Sequence, residues 1–166
     1  MKLLVSLLAT AAALLAQSTF AAEPLSATLE AHKIVLADGK EQLLAASEAK
    51  PGDVLEYRAT YKNVSDKPLK AVMATLPVPA TGVEYLLGSA IPTGVQASLD
   101  GAQFAPAPLK RLVKLPDGKP QQQLVPAAEY RFLRWPLGDL PAGASKVVTA
   151  RVRVISEPVL TTGQQQ

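Results

Sequence analysis

The side chains able to do covalent or metal chemistry are few. Among 166 residues there is one histidine and no cysteine. Without cysteine there is no thiolate nucleophile, zinc finger, iron–sulfur site or disulfide. With one imidazole there is no multi-histidine metal site. A Ser-His-Asp triad would have to use His32. The G-x-S-x-G elbow that presents such a serine is missing, because Gly88-Ser89 and Gly143-Ala144-Ser145 have the wrong spacing. His32 sits in an alternating segment, where a half-buried strand histidine is expected. Paired carboxylates for glycoside hydrolysis depend on spatial proximity, and no pair is singled out by spacing. No catalytic residue, cofactor-binding residue or metal ligand is therefore assigned, and no enzyme activity is expected.

Oxygen ligands for calcium could come from Asp38, Asp53, Asp66, Asp100, Asp117 and Asp139. Each lies in a turn, where aspartate bonds its own backbone, and the EF-hand spacing is absent. Asn63-Val64-Ser65 matches the N-glycosylation pattern, but a loop explains the same residues. Lys110, Arg111, Lys114, Arg131, Arg134, Arg151 and Arg153 could form a basic face. A solvated outer sheet surface, charged to discourage edge pairing, is the simpler reading. Basic and acidic residues are interspersed and the net charge is only +3, so no nucleic-acid partner is expected. Trp135 is expected between two sheets with Tyr57, Tyr61, Tyr85 and Phe132. The alternative for these aromatics is a carbohydrate-stacking platform.

The elements that must position these residues begin after a leader. Residues 1–21 read as a cleaved signal peptide: Lys2, an apolar run from Leu3 to Ala16, then Thr19-Phe20-Ala21 before a cut at Ala22. The run is shorter than the roughly 20 residues that span a bilayer, so no stable membrane insertion is expected after cleavage. No cysteine follows it, so a lipoprotein anchor is not expected either. Export to the periplasm or beyond follows.

Beyond the leader, Thr28–Leu36 reads as a strand closed by Asp38-Gly39, and Glu41–Ala49 as a helical turn or a second strand. Lys50-Pro51-Gly52-Asp53 is a turn. It feeds the clearest strand: Leu55, Tyr57, Ala59 and Tyr61 alternate with Glu56, Arg58, Thr60 and Lys62. Further strands are read at Leu69–Leu76, Val83–Leu87, Val95–Leu99, Gln103–Ala105, Leu109–Leu115, Tyr130–Leu137 and Lys146–Ile155. Asp100-Gly101 is the strongest hairpin signal. The proline- and glutamine-rich stretch Leu115–Ala128 reads as an exposed, inserted loop. Short strands, frequent turns and no long helix predict an all-β, antiparallel sandwich of about 7–9 strands. One domain over residues 22–157 and a disordered polar tail over 158–166 complete the expectation.

The segment from Lys50-Pro51-Gly52-Asp53 through the alternating strand to Asn63 resembles the opening signature of the conserved-repeat family called domain of unknown function eleven. The similarity continues at Leu76-Pro77, Gly82–Ala90, Ser98-Leu99-Asp100-Gly101 with Phe104, Leu133-Arg134-Trp135 and Leu137–Ser145. It covers roughly Lys50 to Val154. It implies an immunoglobulin-like sandwich in a bacterial surface, periplasmic or secreted protein, with no catalytic motif to carry over. The chain departs from many members in having one copy, not a tandem array. Three functional readings follow. The first is a non-enzymatic module that binds a protein partner in the cell envelope, through an edge strand or the Leu115–Ala128 loop. The second is a carbohydrate-binding or carbohydrate-active protein. The third is a periplasmic assembly or chaperone-like factor. Oligomeric state is left open.

Overall fold

The computed structural model describes residues 23–156; the signal-peptide and polar-tail expectations lie outside the described residues. Strand β1 (Leu25–Ala37) and β2 (Lys40–Ala45) form a hairpin. Asp38 and Gly39 both take positive φ, 52° and 71°, the mirror-image turn that matches strand twist. The ambiguous segment after Gly39 is thus a strand as far as Ala45. The remaining strands are β3 (Val54–Asn63), β4 (Leu69–Pro77), β5 (Val83–Tyr85), β6 (Gln96–Ser98), β7 (Ala105–Pro106), β8 (Lys110–Lys114), β9 (Pro120–Leu124), β10 (Phe132–Leu140) and β11 (Ser145–Val154). Every pairing is antiparallel. A five-stranded sheet runs β2-β1-β3-β11-β5, a four-stranded sheet runs β4-β10-β6-β7, and β8-β9 stand as a separate pair. The chain is an all-β, antiparallel sandwich.

Period-two patterning places the core. Leu55, Ala59 and Tyr61 of β3 are buried with Val148, Ala150 and Val152 of β11. From the other sheet come Val72, Ala74 and Leu76 of β4 and Leu133, Trp135 and Leu137 of β10. Trp135 is 1% exposed, and its indole Nε1 donates to the Pro92 carbonyl at 2.9 Å. Tyr85 and Tyr130 stack with ring centroids 5.8 Å apart. Phe132 departs from expectation. It has the opposite parity to Leu133 and Trp135, so it points outward. There its ring lies over Gly101, 2.8 Å from where a Cβ would stand. Gly101 also has φ +79°, so position and conformation both demand glycine.

Two connections differ from the sequence reading. Asp100-Gly101 does not close a two-residue hairpin, since Ala97 pairs with Ala105 across a longer loop. The Asp100 carboxylate folds that loop, accepting from Ala102 N at 2.8 Å, Gln103 N at 3.0 Å and the Ser98 hydroxyl at 2.9 Å. Those donors hold its pKa below the ordinary aspartate value. The stretch Leu115–Ala128, read as an inserted loop, contains a strand, β9, that pairs with β8. β8 and β9 pair from Lys110–Leu124 to Lys114–Pro120, around Asp117 and Gly118. The Asp-Gly turn decides the local structure, and the glutamine run becomes its second strand. The hairpin is tied at its base by Val125 N to Leu109 O and by Leu109 N donating to the Tyr130 hydroxyl at 2.6 Å.

Asn63 joins the ends of the two sheets. It is fully buried. Its carboxamide nitrogen donates to Lys67 O, Leu140 O and Pro141 O at 2.7, 2.9 and 3.1 Å. Its carboxamide oxygen accepts from the Ser65 N–H and hydroxyl. The nitrogen a glycan would need is spent on the fold, which supports the loop reading of Asn63-Val64-Ser65.

Candidate functional site

The side chains able to do chemistry are not assembled into a catalytic group. His32 lies half-buried on the outer face of the five-stranded sheet, opposite Glu56 on β3 and Ala45 on β2. Neither cross-strand neighbour is a serine. Glu56, only 8% exposed, is bonded by Arg58 at 2.8 Å and approached by Arg151 at 3.7 Å. Glu41 forms a two-point pair with Arg151, which holds its carboxyl below the ordinary glutamate pKa. Arginine pairing lowers the Glu41 pKa, whereas a general acid needs it raised. Asp53 takes Lys50 N and Lys33 in its turn; Asp139, expected in a turn, instead lies within β10 and takes Lys70 and Ala71 N from β4. Among the described residues no group of three or more His, Cys, Asp or Glu could hold a metal.

The basic residues do not share a face. Arg151 and Arg153 lie on the outer side of the first sheet, and Lys110, Arg111 and Lys114 on the separate hairpin. Arg131 bonds the carbonyls of Ala128 and Tyr130, and Arg134 lies 3.4 Å over the Phe104 ring. Trp135 is enclosed and offers no stacking surface.

Two shallow cavities of about 230 and 260 Å³ flank the hairpin, the first between Tyr85, Leu87, Val95 and Leu124, the second between Phe104, Leu109 and Arg111. The Tyr85 hydroxyl beside the first is buried with no hydrogen-bond partner, although Gly88, Ser89 and Ala90 surround it. Burial pushes its pKa above the ordinary tyrosine value. An orphaned buried donor costs stability. Tyr85→Phe is therefore expected to leave the fold unharmed or to stabilise it by up to about 1 kcal/mol in urea unfolding. A loss of similar size would show that the hydroxyl is bonded.

What remains is backbone. Sheet edges carry unpaired N–H and C=O groups, and proteins guard them with short strands, bulges, charges or proline. Three of the four edges of this sandwich are guarded. β5 has three residues, and Ile91 bridges to Thr149 beyond it. β7 has two, one of them Pro106. β4 carries Lys70, a positive φ at Ala71, and register shifts against β10 opposite Gly138.

The fourth edge is stepped and open. β1 is 13 residues long, and β3 pairs with it from Leu25 to Ile34. On the other side β2 reaches only His32 to Ala37. Among the described residues, nothing pairs with Leu25–Ala31 on that side. Pro24 O accepts from Val64 N at 2.9 Å, so even-numbered β1 residues bond β3. Ala27, Leu29 and Ala31 consequently turn their N–H and C=O groups outward. No proline or bulge interrupts this run, and Leu29 is 53% exposed. The sequence pattern predicts an edge strand in general and a first strand from Thr28, whereas β1 starts at Leu25. The vacancy depends on where β2 stops, and no local pattern encodes that.

Comparisons with protein-family models, with curated proteins and with solved structures found no match. No helix among the described residues is long and apolar enough to cross a membrane.

Proposed function

We propose that this chain is a non-enzymatic, exported binding module that takes up an extended segment of a protein partner in the cell envelope, alongside the first half of β1. The observation that carries the reading is the unguarded run Leu25–Ala31, collinear with β2 and open on one side. The signal-like residues 1–21 and the resemblance to a family of surface and periplasmic sandwiches support the setting.

Strand addition draws affinity from main-chain hydrogen bonds and specificity from alternate side chains. An incoming strand would exchange bonds with Ala27, Leu29 and Ala31, each worth about 1 kcal/mol net. On the inner face it would cover Leu29, so the partner should present apolar residues at every second position. Covering a leucine side chain contributes on the order of 1 kcal/mol more.

Leu29→Pro tests this with little collateral damage. The Leu29 N–H points away from β3, so proline removes an outward donor and spares the β1–β3 ladder. The wild-type chain is expected to retain an envelope protein in affinity capture from its own cells. Leu29→Pro should lose at least about tenfold of that retention with an unchanged circular dichroism spectrum. Equal retention by both would remove the β1 edge as the site.

A further inference from the structure

We infer that the cavity between the β6–β7 loop and the β8–β9 hairpin is a site for a free apolar amino acid, separate from the β1 edge. Of the two cavities that flank the hairpin, the first is lined by no charged side chain. The second, of about 260 Å³, is lined by both signs of charge around an apolar floor. Leu99, Phe104, Leu109 and Val125 supply that floor. Leu109 and Val125 are buried, and the bond from Val125 N to Leu109 O fixes them together. Phe104 is steadied by Arg134, whose guanidinium lies 3.4 Å from the ring centroid.

The charges come from facing walls. Asp100 belongs to the β6–β7 loop, and Lys110 and Arg111 belong to β8. Arg111 is already paired with Glu129 at 2.7 Å. Lys110 is exposed and has no ion-pair partner among the described residues. Asp100 is exposed too, and the three donors it takes from its own loop all reach Oδ1. Its Oδ2 has no partner among the described residues, so one carboxylate oxygen is free for a ligand. The flexible lysine stem lets its ammonium follow a carboxylate across the cavity mouth. An ammonium and a carboxylate on one small molecule complement these two free charges, and an apolar side chain complements the floor. Inside a peptide an apolar residue carries neither charge, so the free amino acid is the occupant. Size agrees. An apolar cavity of about 150 Å³ admits benzene, and drug-sized ligands occupy roughly 300–1,000 Å³. About 260 Å³ falls between them, as one phenylalanine or leucine requires.

Titrating L-phenylalanine into isotope-labelled protein tests the site by nuclear magnetic resonance. The amides of Gln103, Phe104 and Lys110 should shift saturably, with a Kd of about 1 mM or below. Phenylpropanoate lacks the ammonium and phenethylamine lacks the carboxylate, so each should bind about three- to fivefold more weakly. Asp100→Asn keeps the Oδ1 acceptor that folds the loop and removes the charge. It should weaken L-phenylalanine and phenethylamine by about three- to fivefold and leave phenylpropanoate unchanged. Lys110→Gln should weaken L-phenylalanine and phenylpropanoate by a similar factor and leave phenethylamine unchanged. Unchanged amide shifts elsewhere in the sandwich show that both variants are folded. Absence of saturable shifts with L-phenylalanine overturns the inference. So does equal binding of the three compounds, or binding indifferent to both substitutions. Leu29→Pro should bind L-phenylalanine as the wild type does, so failure here leaves partner capture at β1 standing.

Discussion

Asn63→Asp is expected to lower the stability of the sandwich by about 4 kcal/mol, for a change of one NH₂ group to one oxygen. The carboxamide nitrogen of Asn63 faces three carbonyl oxygens within 3.1 Å, on Lys67, Leu140 and Pro141. A carboxylate there has no proton to give and meets acceptors only. It is also a buried charge without a cation, since Asn63 is fully enclosed. Small domains are stable by about 5–15 kcal/mol in total, so the loss should shift the melting point by roughly 10–20 °C. Protonation supplies the missing donor, so the folded pKa of the new carboxyl should lie above its unfolded value. The deficit should then be small below the unfolded pKa and grow as pH rises through the folded one. Urea unfolding at two pH values checks both parts. A loss under about 1 kcal/mol at neutral pH would place the carboxamide outside this cradle.

The second large effect is in the core. Trp135→Ala removes the largest fully buried side chain and should cost about 4 kcal/mol. Part of that is apolar area and cavity. Part is the Pro92 carbonyl, which loses the indole donor at 2.9 Å. Trp135→Phe keeps much of the volume and loses the hydrogen bond, so it should cost about 2 kcal/mol. Leu112 on the β8–β9 hairpin is 72% exposed, and Leu112→Ala should stay within about 0.5 kcal/mol. The contrast separates a side chain that closes the sandwich from one on an appended hairpin. Equal costs at the two positions would contradict this division.

The parts of the fold legible in the sequence are those written in local periodicity. Leu55, Ala59 and Tyr61 alternate with polar residues and lie inside, and Val148, Ala150 and Val152 do the same on β11. Asp38-Gly39 announced its turn because positive φ at both positions suits those residues, while the short segment after it reads equally as a helical turn or a strand. Where two local signals competed, reading was harder. Five prolines and a glutamine run obscured the Asp117-Gly118 turn that builds β8–β9. Hydrophobicity predicts Phe132 inside, whereas its parity, opposite to that of Trp135, places it outward. The importance of Asn63 was invisible locally, since two of its acceptors lie 77 and 78 residues away. The open edge had the same obstacle. That β1 outruns β2 depends on pairing between strands, and β1 itself reads as an ordinary alternating segment.

The central claim is that the outward backbone of Leu25–Ala31 receives a partner strand. It is tested most directly by a photo-reactive amino acid placed at Leu29 or, as a control, at Met73 on the guarded edge β4, in the cells that make this protein. Adducts with an envelope protein from position 29 and none from position 73 are the predicted result. Adducts from position 73 alone, or none from position 29, would contradict it.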